Sequence, residues 1–113
     1  MKLKEVADKL ELDVRTAADC LECEVTCGYV SDLMSDVMAN AKEGALWITL
    51  QIHQNVVAVA VMKSLSGIIL VNNREPEEDT AQKAEAEKVP ILISSLPAFE
   101  LAGRLFELGL KGT

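Results

Sequence analysis

Apolar residues recur along the chain with more than one period. Leu3, Val6, Ala7 and Leu10 lie at i, i+3, i+4 and i+7, on one helix face, with Lys2, Lys4, Glu5 and Lys9 around the rest. From residue 19 to residue 30 the period becomes two. Leu21, Cys23, Val25 and Cys27 alternate with Glu22, Glu24 and Thr26, which predicts a strand ended by Gly28. A short helix over 33–41 follows, with Ser31 as its cap and Gly44 as its stop.

The remaining two-thirds has a rhythm. Apolar runs at 46–50, 68–71 and 91–93 read as buried strands, each followed by a polar patch and a helix-like stretch. The helices are predicted over 55–65, 77–88 and 97–108. Gly67 and Gly109 stand where a left-handed residue closes a helix, and Pro97 suits a first turn. In the last helix Ala98, Leu101, Ala102, Leu105 and Leu108 form an apolar stripe. The run 56–61 is β-branched and favours a strand by propensity. It lies between two stronger strands, and parallel neighbours need a crossover of about a dozen residues, so we read it as a helix. Three consecutive strand–helix units imply an α/β fold: one domain, a mostly parallel sheet with right-handed crossovers, and flanking helices. No linker, sequence repeat or low-complexity segment interrupts the chain.

Its 113 residues suit one such domain. Eighteen acidic against 11 basic residues give a net charge of −7, which repels a phosphate backbone and an anionic membrane. Nucleic acid and membrane are therefore not expected as partners. The longest apolar run, 56–62, is far short of the roughly 20 residues of a membrane span. The charged start, Met-Lys-Leu-Lys-Glu, leads into no signal-peptide stretch. Three cysteines cannot all pair within one chain, which suits reduced thiols and a cytoplasmic location.

Ligands of open parallel sheets bind beyond the carboxyl ends of the strands. Those ends carry Gln51, His53, Gln54 and Asn55; then Asn72, Asn73, Arg74 and Glu75; then Ser94 and Ser95. Amides, hydroxyls, one imidazole and one guanidinium suit a small anionic molecule, helped by helix N-termini near Asn55 and Pro97. The simpler reading is that these loops are polar because they are wet, with Asn55, Ser94 and Ser95 capping helices. Arg74 is the best single anion contact, because a guanidinium grips phosphate or carboxylate through two parallel bonds.

His53, the only histidine, could exchange protons near neutral pH, but no neighbour in sequence makes it a nucleophile's base. Cys20, Cys23 and Cys27 with His53 would make four metal ligands. On a strand, however, Cys20 and Cys23 point to opposite faces, and Cys23 and Cys27 lie roughly 13 Å apart. No metal and no cofactor is expected, and the protein should stay folded when stripped of metal. The acidic run over 75–79 suits a helix's first turn. No P-loop is present, and the terminal Gly-Leu-Lys-Gly-Thr113 is too short and misplaced to imitate one.

The stretch Ile-Ile-Leu-Val-Asn-Asn-Arg-Glu-Pro-Glu-Glu over 68–78, then a helix, then Lys-Val-Pro-Ile-Leu, resembles the DRTGG domain family. Val71, Asn72 and Asn73 stand where that family carries Thr-Gly-Gly. The segment 26–33 resembles the family's other turn, with Gly28 and Asp32 kept and the Asp-Arg pair replaced. The resemblance covers nearly the whole chain and is similar to the N-terminal domain of HPr kinase and to the DRTGG domain of phosphotransacetylases. It implies a three-layer α/β domain, homodimeric, with a regulatory or binding role. It implies no kinase activity, since the catalytic domain's P-loop is missing. Gly28 and Asp32 thereby join the candidate ligand-binding residues.

The chain thus reads as a non-catalytic regulatory or small-ligand-binding domain, homodimeric, taking a small anionic metabolite or nucleotide or a protein partner. Two alternatives stay open: a small enzyme using His53 at the strand-end edge, and a metal or redox protein built on Cys20, Cys23 and Cys27. The apolar helix 56–62 exceeds what one small sheet covers, which favours a dimer, unless the first and last helices cover it on the same sheet face.

Overall fold

A computed structural model describes residues 1–112; Thr113, the last residue of the Gly-Leu-Lys-Gly-Thr run, lies outside the described residues. The elements in chain order are α1 (Leu3–Lys9), β1 (Asp13–Thr16), a 3₁₀ turn (Ala18–Cys20), β2 (Cys27–Val30), α2 (Met34–Asn40), β3 (Ala45–Thr49), α3 (Asn55–Met62), β4 (Gly67–Leu70), α4 (Glu78–Glu87), β5 (Ile91–Ile93) and α5 (Ala98–Glu107). One five-stranded sheet runs β1-β5-β4-β3-β2. β2 to β5 are mutually parallel, and β1 pairs antiparallel with β5.

Strand side chains alternate between two cores. Leu46, Ile48, Ile69, Val71 and Leu92 pack with Leu3, Val6, Leu101 and Leu105 of α1 and α5. Trp47, Ile68, Leu70, Ile91 and Ile93 pack with Val37, Val56, Val57 and Ala84 of α2, α3 and α4. Strands buried on both faces read as continuous apolar runs, which is why β3, β4 and β5 are visible in the sequence. The result is a three-layer α/β domain. α2, α3 and α4 share one face because each crossover steps in the same direction across the sheet. The helix 56–62 is therefore covered by α2 and α4, and not by α1 and α5, which lie on the opposite face.

Several expectations need correction. The strand expected over 19–27 is a 3₁₀ turn and an extended segment, and β2 begins only at Cys27 and passes through Gly28. The alternation of Leu21, Cys23 and Val25 is real, and these side chains do pack on the α1 core. Their backbone pairs with the start of α1 instead of a sheet strand: Leu3 N donates to Cys23 O at 3.0 Å, Lys4 N to Leu21 O at 2.9 Å and Val25 N to Met1 O at 2.8 Å. β1 was not predicted. It is four residues long with only Thr16 buried, and a register shift between Val14 and Thr16 interrupts its pairing.

Gly44 and Gly67 do not close helices. Gly44, with φ +82°, turns the chain into β3, where a Cβ would meet the Thr26 side chain at 2.7 Å. Gly67 is the first residue of β4, and Ser64 takes the left-handed place after α3 with φ +53°. Gly109 does follow α5, with φ +108°. Ser31 does not cap α2 at its N-cap position, which Leu33 occupies; Ser31 Oγ, two residues earlier, accepts from Leu33 N at 3.2 Å.

Candidate functional site

Parallel strands end on a common edge, so the tails of β2, β3, β4 and β5 lie side by side. At about 4.8 Å per strand they span roughly 14 Å. Asp32 leaves β2 and clamps it to β3. Its Oδ1 accepts from Thr49 Oγ1 at 2.9 Å and from Leu50 N at 2.8 Å, while its carbonyl accepts from Gln51 Nε2 at 2.9 Å. Thr49 is buried, and its hydroxyl also accepts from Gln51 N at 3.1 Å. Gln51 is thereby held at the β3 end.

His53 is exposed, and its Nδ1 accepts from Asn55 N at 3.1 Å. The imidazole thus satisfies a first-turn amide of α3, the role expected of Asn55. Its Nε2 is left for solvent or a ligand. Behind this loop the Ile52 carbonyl accepts from Thr80 Oγ1 at 2.7 Å and from Glu77 N at 3.2 Å, fixing the β3–α3 loop to the start of α4. Thr80 was not singled out from the sequence, because the bond joins residues far apart in the chain.

Beyond β4 the chain makes a tight turn, closed by Arg74 N donating to Val71 O at 3.1 Å. Asn72 and Asn73 at its centre have φ of +57° and +56°. Two consecutive left-handed residues suit glycine best and asparagine next. From β4 the chain passes to α4 on one face, and from β5 to α5 on the other. The divergence makes this the switch point where open sheets take ligands. Here it is stitched: Asn72 N donates to Leu96 O at 3.1 Å and Asn73 N to Ser94 O at 2.8 Å. Ser94 is buried, and its Oγ accepts from Leu96 N at 3.1 Å.

The backbone of this crevice is used up, while the Asn72, Asn73, Arg74 and Ser95 side chains are exposed. Arg74 makes no ion pair among the described residues. The neighbouring carboxylate is taken: Glu75 accepts from Arg15 Nε at 2.8 Å and from Arg15 Nη2 at 2.7 Å. That fork holds the Glu75 carboxyl below its ordinary pKa and raises that of Arg15.

Gly28 lies apart from this edge. Its N–H donates to Lys111 O at 2.9 Å on the outer side of β2. It lines an apolar groove of about 160 Å³ with Val30, Ala102, Leu105, Phe106 and Leu110. The structure therefore brings together Gln51, His53, Asn55, Asn72, Asn73, Arg74, Ser95 and the positioning pair Asp32 and Ser94, and separates Gly28 from them.

The cysteines are not on one strand. Cys20 ends the 3₁₀ turn, Cys23 packs half-buried with its Sγ 3.5 Å from the Ser66 carbonyl, and Cys27 is buried on β2. Cys20 and Cys23 therefore do not take opposite faces of a strand, as expected above. Among the described residues no three His, Cys, Asp or Glu side chains converge as metal ligands. No described helix is long and apolar enough to cross a membrane.

No family model and no curated protein matches the chain. Among solved structures it is similar to the CBS and DRTGG domains of the regulatory region of Clostridium perfringens pyrophosphatase, complexed with the activator diadenosine tetraphosphate. The TM-score is 0.70 at 15% identity, over 96% of this chain and 47% of that one. The likeness is one of fold, and it agrees with the fold that the Ile68–Leu92 resemblance implies. This chain spans about half the length of its neighbour.

Proposed function

We propose that the chain is a regulatory module of the DRTGG type, a single domain throughout, that binds a small phosphorylated anion of the nucleotide class along its strand-end edge and pairs with a second copy. The carrying observation is Arg74: an exposed guanidinium without an ion partner among the described residues, at the switch point of a parallel sheet. Glu75, the acid beside it, is already engaged by Arg15. Asn72, Asn73, Gln51 and Ser95 offer amides and a hydroxyl around it, and His53 offers Nε2. The fold neighbour is a regulatory region complexed with diadenosine tetraphosphate, which supports an anionic nucleotide as the ligand.

Asp32 and Ser94 act as positioning residues, holding the β2–β3 ends and the β5 turn beneath the ligand. Gly28 falls outside the site. A catalytic reading built on His53 has less support, since its Nδ1 is occupied by the Asn55 amide and no serine or cysteine bonds to it among the described residues.

Thermal unfolding in the presence of diadenosine tetraphosphate, ATP and inorganic phosphate tests the proposal. A ligand at about 100 times its Kd stabilises the folded state by about 2.7 kcal/mol. Arg74→Ala removes a charge-assisted bond pair and should weaken the bound nucleotide about tenfold or more, with unfolding of the free protein unchanged. A nucleotide shift indifferent to Arg74→Ala, or no shift with any of the three, would overturn the assignment of this edge.

A further inference from the structure

We propose that Cys20 and Cys23 form a dithiol that closes to an intramolecular disulfide, a modification site at the sheet edge opposite the strand ends. The proposal is independent of the ligand reading above. Cys20 is the last residue of the 3₁₀ turn, and Leu21 and Glu22 continue as turn residues. Leu21 keeps a helical backbone, φ −87° and ψ 0°. Cys20 and Cys23 are the first and fourth residues of this turn, and such residues lie within about 7 Å of each other, Cα to Cα. A disulfide needs Cα atoms about 4.4–6.8 Å apart, a range that the turn reaches.

Cys27 belongs to β2 and is buried there, outside the turn that holds the other two.

The two thiols are unequal. Cys20 is half-buried, and its burial first and then the Asp19 carboxylate, 3.6 Å from the sulfur, push its thiol up, so the attack is favoured as pH rises. Cys23 is packed against the α1 core, its thiol directed at the Ser66 carbonyl. Cys20 is the entry point and Cys23 the resolving thiol. With a low-molecular-weight disulfide as oxidant, the Cys20 thiolate attacks one of its sulfurs, forms a mixed disulfide and expels one thiolate. The Cys23 thiolate then attacks the Cys20 sulfur, forms the intramolecular bond and expels the second thiolate. The protein pair loses two electrons and two protons, and the oxidant leaves as two thiols.

Closure costs Cys23 its contact with the Ser66 carbonyl, which immediately precedes β4. It also ties together the segment that holds α1, through Leu21 and Cys23 carbonyls bonded to Lys4 N and Leu3 N.

The test equilibrates the whole chain in graded mixtures of oxidised and reduced glutathione. Thiols are then blocked under denaturing conditions, and intact mass and disulfide peptides are measured. Toward the oxidising end the wild type should lose two hydrogens and keep one alkylatable thiol, which maps to Cys27. Cys27→Ser should still close the bond. Cys20→Ser and Cys23→Ser should stop at a glutathione adduct. Mapping the wild-type disulfide needs no variant, so a poorly folding substitution does not blunt the test. Three alkylatable thiols across the whole range, a bond involving Cys27, or a bond between chains would each overturn the proposal.

Discussion

At the scale of single residues, the strand-end edge is held by a few polar contacts whose loss is measurable. Asn73 sits at φ +56°. A β-branched residue there loses about 1–2 kcal/mol to the clash of Cβ with the following carbonyl, while glycine avoids it. Asn73→Val should therefore lower the urea midpoint, and Asn73→Gly should leave it within a few tenths of a kcal/mol. A Val variant as stable as the wild type would mean that the turn is not left-handed.

A second residue-scale pair lies on the β2 side. Tyr29 Oη donates to Asp36 Oδ2 at 2.8 Å, and Asn40 Nδ2 donates to Asp36 Oδ1 at 2.9 Å. The Tyr29 bond first, then those from Ser31 and Asn40, hold the Asp36 carboxyl below its ordinary pKa, and the same carboxylate raises that of Tyr29. A depressed carboxyl contributes stability that is present above its unfolded pKa and lost as pH falls through its folded one. The contribution therefore fades from about pH 4 downward. The raised Tyr29 works in reverse and withdraws its part as pH rises through about 10 and above. Tyr29→Phe should flatten the acid limb of a stability–pH curve. An acid limb identical in the two proteins would contradict the coupling.

At the scale of elements, legibility in the sequence follows burial. β3, β4 and β5 are buried on both faces and stand out as apolar runs. α3 was correctly separated from them despite its valines, because a parallel pair needs a connection. β1 was hidden because an edge strand of four residues with one buried side chain leaves no period to detect. The segment 21–25 misled because its alternation is real but serves to pack under α1. The polar residues of the strand-end edge were readable from topology alone, whereas the Asp32 clamp and the Thr80–Ile52 bond depend on contacts between distant residues. Gly67 was misassigned for the same reason, since its role lies in space.

A Cβ at Gly67 would come within 3.2 Å of Leu3 Cδ2 and 3.3 Å of the Pro90 carbonyl oxygen. Leu3 can turn aside, but Pro90 O is backbone and accepts the bond from Ile68 N at 2.9 Å. Gly67→Ala should cost about 1–3 kcal/mol, as overpacking of a tight core does. Chemical denaturation measures it, and a neutral result would show that the β4–β5 start has slack.

At the scale of the whole molecule, the surplus of apolar surface is not where the sequence suggests. α3 is largely covered, whereas α5 turns Phe99 and Phe106 outward, 89% and 57% exposed, with Gly103 between them. Phe106 also borders the apolar groove beside Val30, and Lys111 Nζ lies 3.8 Å over its ring. The proposed second copy fits this stripe better than the α3 surface. A two-fold axis that pairs α5 antiparallel with itself sets Phe99 against Phe106 of the other copy. It also brings Glu100 to within one residue's rise, about 1.5 Å along the axis, of the level of Arg104 on the partner helix. Light scattering at micromolar concentration should therefore give twice the 12.3 kDa chain mass. Phe106→Glu should return it to 12.3 kDa, because two carboxylates would then enter an apolar contact without partners. Met62→Glu, on the exposed end of α3, should leave the dimer intact. A wild-type mass of 12.3 kDa would reject the pairing, and a dimer broken by Met62→Glu but not by Phe106→Glu would move it to α3.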